Sequence, residues 1–202
     1  MNATTTWLTC GVLRAELNEL LRQGKLKGEL FALDSMLHMD PPRLETILDK
    51  SLQRHGTHGG RLVLIFGDCC PRMLNLVRKY QVGRINTINC AQMLLGKTRY
   101  RELMKEESFL FLPEWTKRWK EIFRKELGLS ETVAHDLMQD NRGNLVYLDT
   151  GLVPVPHHDL QECSAYLGLP MRIENVSLDN LLAALLEAEA LAPINQSATE
   201  TT

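Results

Sequence analysis

Short apolar runs alternate along this chain with longer amphipathic stretches. The clearest run, residues 62–66, is apolar at every position, which is typical of a strand covered on both faces by helices. A preceding stretch places Leu13, Leu17 and Leu20 on one helical face and ends at Gly24. This alternation predicts a three-layer α/β fold, in which a mostly parallel sheet carries helices on both faces.

The same reading extends over most of the chain. Further strands are predicted at residues 7–9, 30–33, 85–88, 109–112, 145–148 and 171–176. A helix is predicted from the end of the 109–112 strand to about residue 127, and Ser130 is expected to cap the next helix. A chain of 202 residues predicts a single α/β domain, here over residues 1–192, and the polar residues 193–202 predict a disordered tail.

The charge and composition of the chain argue against two classes of binding partner. The net charge is −2 and the basic residues are dispersed, so we expect binding neither to nucleic acid nor to an anionic membrane surface. The sequence has no apolar run of about 18 residues and no secretory signal, which predicts a cytoplasmic protein. In that reducing compartment, five cysteines favour ligands or nucleophiles over disulfides.

Three of these cysteines follow predicted strands. Cys10, Cys69 and Cys90 lie at or within three residues of the ends of apolar runs, and His38 lies in the loop after the second run. The carboxyl ends of parallel strands share one edge of a sheet, so we expect these side chains to lie close together. Helix amino termini after the cysteines are expected to favour the thiolate form. Three thiolates and one histidine suit zinc, whereas three thiolates and an open position suit catalytic zinc or an iron–sulfur cluster.

Other residues receive smaller roles. Trp115 follows the 109–112 strand and could line the pocket of a planar cofactor, and Asp149 follows the 145–148 strand as a candidate acid–base or outer ligand group. Cys70 adjoins Cys69, so both cannot easily bind one metal, and Cys70 is interpreted as a packing residue. Cys163 lies within a predicted helix and is interpreted as structural.

An ordered set of motifs resembles the domain-of-unknown-function family numbered 1638 (DUF1638) over about residues 8–176. The motifs are Cys10-Gly11-Val12-Leu13 with Glu16-Leu17, Leu37-His38, Gly67-Asp68-Cys69, Asn89-Cys90 with Leu94-Leu95-Gly96 and Tyr100, and Pro113-Glu114-Trp115. Members of that family usually have aspartate where this chain has Asn89, and commonly glycine where it has Glu114, so no acid–base role is carried over to position 89. The family occurs in bacteria and methanogens, sometimes beside genes for corrinoid-dependent methyl transfer, and its function is unassigned. The resemblance implies an accessory role in corrinoid or one-carbon metabolism.

Three hypotheses follow from the residues. The first is a metal-binding or iron–sulfur protein with Cys10, Cys69 and Cys90 as ligands and His38 as a fourth, which as an enzyme would act on a small-molecule substrate. The second is metal-free thiol chemistry, with Cys69 as nucleophile and Cys90 or Cys70 as the resolving thiol. The third is a non-enzymatic accessory or interaction protein in which the cysteines belong to the core. The sequence leaves open whether the protein is an enzyme.

Overall fold

A computed structural model describes residues 4–56 and 59–195, and it confirms the three-layer α/β class. The chain folds as two compact units, Met1–Met93 with Asp179–Thr202, and Leu94–Leu178. The prediction of a single domain over residues 1–192 stays a prediction. The elements in chain order are β1 (Thr5–Cys10), α1 (Arg14–Arg22), β2 (Glu29–Leu33), α2 (Pro41–Gly56), β3 (Gly60–Ile65), α3 (Met73–Tyr80), β4 (Gly83–Arg84), α4 (Cys90–Lys105), β5 (Ser108–Phe111), α5 (Pro113–Thr116), α6 (Glu131–Asn141), β6 (Asn144–Asp149), α7 (His157–Leu167), β7 (Met171–Asn175), α8 (Asp179–Leu191) and β8 (Ile194–Asn195).

The first unit is built on a sheet with the strand order β2-β1-β3-β4. These four strands pair in parallel, and β8 joins β3 in antiparallel fashion. The chain moves from β1 to β2 in one direction and from β2 past β1 to β3 in the other. Since such crossovers are right-handed, this reversal places α1 and α2 on opposite faces of the sheet. The carboxyl ends of β1 and β3 therefore flank the point at which the winding reverses.

The core of this unit follows from the continuous apolar character of its central strands. Trp7 and Leu8 of β1 and Leu64 of β3 have no exposed surface. The indole nitrogen of Trp7 donates a hydrogen bond to the carbonyl oxygen of Lys27 at 2.9 Å, so this large side chain is buried with its polar atom satisfied. Leucines spaced four residues apart on α2 cover the sheet: Leu44, Leu48 and Leu52.

The second unit contains a parallel sheet of three strands in the order β5-β6-β7. Tyr147 of β6 is fully buried, and Trp119 is 2% exposed. Glu174 of β7 binds Arg99 of α4 through two hydrogen bonds at 2.7 and 2.8 Å, which ties that helix to the edge of the sheet. Within α4, Gly96 has a φ of 72° and interrupts the helical backbone.

Several predicted elements differ from the structure. The strand predicted at residues 85–88 is instead β4 at Gly83–Arg84, because only these two residues pair with β3. The helix predicted to run to residue 127 is divided into α5 and a π-helical turn at Glu121–Glu126. The predicted cap of α6 is confirmed, since the Ser130 hydroxyl accepts a hydrogen bond from the Val133 amide at 3.3 Å.

Two larger differences concern the sheet and the carboxyl-terminal segment. The strands expected in one sheet are divided between two, so only four of the predicted strand ends share the edge that carries Cys10. The segment predicted to be disordered from Pro193 contains β8 at its beginning, and residues 196–202 lie outside the described residues. No helix of the described part is long and apolar enough to cross a membrane.

Candidate functional site

Each of the four strands in the parallel part of the first sheet has one candidate ligand at or after its carboxyl end. Cys10 is the last residue of β1, and His38 lies in a 3-10 turn, Ser35–Met39, that follows β2. Cys69 follows β3, and Cys90 is the first residue of α4 after β4. The site therefore lies at the winding reversal, the position at which open parallel sheets commonly bind ligands.

Gly11 allows the segment after Cys10 to approach the end of β2. A Cβ atom at this position would lie 2.8 Å from the carbonyl oxygen of Leu33 and 3.2 Å from the amide nitrogen of Ser35. The Asp34 side chain accepts a hydrogen bond from the Met36 amide at 3.0 Å, which supports the turn that carries His38. The absence of a side chain at Gly11 thus brings the Cys10 and His38 segments together.

Gly67 produces a second close approach. A Cβ atom there would lie 2.2 Å from the carbonyl oxygen of Ile88, and that oxygen accepts a hydrogen bond from the Asp68 amide at 2.8 Å. Cys69 and Cys90 follow these two contacting positions by two residues each. The backbone contact therefore sets how near the two cysteine segments can lie.

A capping interaction orients Cys90. The Asn89 side chain accepts a hydrogen bond from the Gln92 amide at 2.9 Å, and the Gln92 side chain accepts one from the Ile88 amide at 3.1 Å. This reciprocal arrangement caps α4 and leaves Cys90 in its first turn, near the positive end of the helix dipole. Position 89, to which the sequence assigned no acid–base role, thus has a structural one.

The His38 ring lies between two cysteine sulfurs. Its Nδ1 atom is 3.5 Å from Cys10 Sγ, and its Nε2 atom is 3.2 Å from Cys69 Sγ. Nδ1 is also 3.3 Å from the carbonyl oxygen of Ser35. When both ring nitrogens carry protons, His38 can donate a hydrogen bond toward each sulfur.

These contacts shift the protonation of the cluster. A hydrogen bond from Cys90 lowers the pKa of Cys10 to about 5 with the help of His38, despite burial, which acts in the opposite direction. Burial disfavours the charged form of His38, but the hydrogen bonds and charges of Cys10 and Cys69 outweigh it and raise the pKa of His38 to about 10. The hydrogen bond to Cys10, followed by burial, raises the pKa of Cys90 well above its ordinary value. Near neutral pH the cluster therefore holds a Cys10 thiolate, a His38 imidazolium and a Cys90 thiol.

Access differs among the three cysteines. Cys10 is 1% exposed and Cys90 is 7% exposed, whereas Cys69 is half-buried. The Cys69 loop is held by Arg84, whose guanidinium bonds to the Asp68 carboxylate at 2.6 Å and to the Phe66 carbonyl oxygen at 3.1 Å. Cys69 is thus the cysteine of the cluster that a solvent-borne molecule can reach most easily.

Comparison with known proteins agrees with the motifs. A family model described as "Protein of unknown function (DUF1638)" matches residues 32–185. The chain belongs to this family. The matched range contains His38, Cys69 and Cys90, while Cys10 precedes it. No curated protein and no solved structure matches this DUF1638 member.

Glu16 adjoins the cluster and was missed as a site residue. It is 2% exposed on α1, and its charge contributes to the raised pKa of Cys90. The sequence carried a signal for it, because Glu16 interrupts the apolar face formed by Leu13, Leu17 and Leu20. A carboxylate on the buried face of an amphipathic helix is unusual and often belongs to a functional site.

Four other residues singled out in the sequence do not belong to this cluster. Trp115 of α5 and Asp149 of β6 belong to the second unit, where the Asp149 carboxylate accepts a hydrogen bond from the Gly151 amide at 2.8 Å. Their proposed cofactor and acid–base roles stay predictions. Burial raises the pKa of Cys70, and burial also raises the pKa of Cys163 to about 12. Both are buried free thiols, as expected of packing residues.

The ligand atoms of the cysteine cluster do not lie as close together as those of an assembled metal site. Among residues 4–56 and 59–195, groups of three or more His, Cys, Asp or Glu ligand atoms that all lie within 4.8 Å of one another are confined to His158, Asp159 and Glu162. The thiol cluster has wider spacing because the His38 ring separates Cys10 from Cys69. For the four residues to bind one ion together, their side chains must rearrange until the ligand atoms lie closer together.

Proposed function

We propose that this DUF1638 member binds a thiophilic metal, as zinc or as an iron–sulfur cluster, through Cys10, Cys69 and Cys90, with His38 as the fourth ligand. The observation that supports this proposal is the convergence of three thiols and one imidazole from four separate strand ends. Soft thiolates and imidazole form the donor set of structural zinc sites, and three thiolates also hold clusters that keep one exchangeable position.

The electrostatics of the cluster agree with a ligand role. Cys10 is ionised near neutral pH yet is 1% exposed. Its thiolate can therefore serve as a ligand of a bound cation, but it is poorly accessible to a substrate in solution. Displacement of the His38 proton by a metal would preserve a positive charge beside that thiolate. With His38 as the fourth ligand the site would be closed and structural; with Cys10, Cys69 and Cys90 alone as ligands, the metal would keep an open position and could act there as a Lewis acid.

Metal-free thiol chemistry is a second candidate, and the contact between His38 and Cys69 favours it. Cys69 is half-buried and lies 3.2 Å from Nε2 of a histidine whose pKa is raised to about 10. A protonated His38 cannot remove the Cys69 proton, but it can orient the Cys69 side chain through the contact between its ring and the sulfur. Cys69 would then be the nucleophile.

Elemental analysis and visible absorption of protein purified without oxygen distinguish the candidates. The comparison uses wild type, Cys10→Ser, Cys69→Ser and Cys90→Ser, with Cys163→Ser as a control that removes a buried thiol of the second unit. The metal proposal predicts near-stoichiometric zinc or iron in wild type and the control and a marked loss in the other three variants. Metal-free, folded wild type would refute it, and rapid alkylation of Cys69 in that protein would support thiol chemistry.

An accessory role in corrinoid or one-carbon metabolism remains a proposal that rests on the family resemblance. Its test is direct binding of the metal-loaded protein to a purified corrinoid methyl-transfer protein. Binding that is lost in Cys69→Ser and kept in Cys163→Ser would connect this role to the cluster. Failure of a metal-loaded protein to bind would refute the accessory role and leave the metal site unaffected.

A further inference from the structure

A separate cavity lies at the amino-terminal ends of the central strands, at the other end of β1 from Cys10. Its volume is about 680 Å³, and it lies between the starts of β1 and β3, the loop from α1 to β2, and the last turns of α8. Pockets of this size accommodate small organic molecules rather than single ions. All of its lining residues belong to the first unit.

Arg61, at the start of β3, provides the first indication of a ligand. Its Nε atom is buried and has no hydrogen-bond partner among the described residues, although its backbone amide donates to the Thr4 carbonyl oxygen at 3.0 Å. Because Nε itself is shielded from a ligand, an oxyanion in the cavity would bind the part of the guanidinium that lines the cavity and neutralise its charge. Guanidinium groups bind such anions through two parallel hydrogen bonds.

Two lysines add to the positive charge of the lining. Lys25 and Lys27 are exposed on either side of Leu26, which is 4% exposed and anchors their loop. Among the described residues, neither lysine nor Arg61 forms an ion pair with a carboxylate, although the Lys25 charge acts on the Glu19 carboxylate, which lies outside the lining. Glu189 is the acidic residue in the lining, and it already accepts a hydrogen bond from the Thr5 hydroxyl.

We propose that this cavity binds a small organic phosphate monoester. The lining of three basic side chains and one carboxylate has a formal charge of +2, and a phosphate monoester carries about −1.5 to −2 at pH 7. The phosphate accepts hydrogen bonds from the Arg61 guanidinium, and Lys25 and Lys27 neutralise its outer oxygens. The remaining volume accommodates the organic part of the ligand.

Isothermal titration calorimetry with defined probes tests the proposal. The probes are glycerol 3-phosphate, glucose 6-phosphate and adenosine monophosphate, with inorganic phosphate, glucose and succinate as comparisons. We expect at least one ester to bind more tightly than inorganic phosphate, and glucose and succinate to bind far more weakly. No binding by any of the three esters at millimolar concentration overturns the proposal, and so does equal binding of inorganic phosphate or succinate.

Matched variants locate the binding. Arg61→Gln and the double variant Lys25→Gln/Lys27→Gln should each weaken ester binding by about tenfold or more, the loss expected for a charge-assisted hydrogen bond. Lys97→Gln/Lys105→Gln removes the same charge from exposed positions of α4 and should leave affinity unchanged. Because Arg61 is partly buried, the exposed lysine pair provides a test that does not depend on the folding of the arginine variant. Wild-type affinity in both cavity variants would overturn the assignment of the site.

Discussion

Gly67→Ala tests whether the close backbone approach assembles the cysteine cluster. The new Cβ atom would lie 2.2 Å from the Ile88 carbonyl oxygen and 2.5 Å from its carbonyl carbon, whereas real Cβ contacts rarely fall below 3.0 Å. The two segments must therefore separate by about 0.8 Å to remove the overlap. That movement also weakens the hydrogen bond of 2.8 Å from the Asp68 amide to Ile88.

The expected loss of stability follows from the steric overlap and the weakened hydrogen bond. Overpacking costs about 1–3 kcal/mol, and loss of one hydrogen bond adds about 0.5–1.5 kcal/mol, so we expect a loss of about 2–4 kcal/mol in the free energy of unfolding. For a chain of this length, each kcal/mol lowers the melting temperature by about 2–4 °C, which gives a decrease of about 5–15 °C. The separation also moves Cys69 away from Cys90, so metal content should fall together with stability.

The assay is thermal unfolding followed by circular dichroism, combined with elemental analysis after anaerobic loading. Gly56→Ala is the matched control, because its Cβ atom would meet nothing within 4 Å and its backbone does not have a left-handed φ. The free energy of unfolding of the control should lie within about 0.5 kcal/mol of that of wild type. If Gly67→Ala has the same melting temperature and the same metal content as the control, the close approach has no role in assembling the site.

The remaining predictions concern protonation and capping. Folding lowers the pKa of Cys10 from 9.0 to about 5 and raises the pKa of His38 from 6.5 to about 10, so the pair releases a proton on folding between about pH 5 and 6.5 and has no net proton exchange from there to pH 9. The pair's contribution to the stability of metal-free protein should therefore be lost as pH falls from 6.5 through 5 and stay level up to pH 9; urea unfolding should show the loss at acid pH in wild type and not in Cys10→Ser. Replacing His38 by Asn removes a hydrogen bond and a positive charge, which should raise the pKa of Cys10 as measured by thiolate ultraviolet absorbance; an unchanged value would exclude the proposed ion pair. Glu16→Gln should lower the pKa of Cys90 in a carbon-13 NMR titration, because the Glu16 charge contributes to raising it; a rise would contradict that cause. Asn89→Ala should cost about 1 kcal/mol in chemical denaturation and Asn89→Asp little, because only the aspartate keeps the cap; equal losses in both would refute the capping role.

Parallel topology explains how much of the site could be predicted. Apolar runs identified β1, β2 and β3, and the shared edge of parallel strands predicted that Cys10, His38 and Cys69 would meet. The order of the motifs also identified the family over most of its matched range. These inferences succeed because strand and helix periodicity are local properties of the chain, and because the direction of parallel strands restricts which ends can meet.

Only the tertiary structure decided the details that control the chemistry. Periodicity does not reveal that the strands divide into two sheets, or that Gly67 must contact Ile88 across a gap too small for a side chain. The position of the His38 ring between Cys10 and Cys69, and the resulting pKa values, depend on packing, burial and hydrogen bonds between segments far apart in sequence. The sequence by itself determined the fold class and which residue types could gather at the edge of the sheet. The folded backbone decided their distances and protonation, because both depend on the exclusion of water and on contacts that no local pattern encodes.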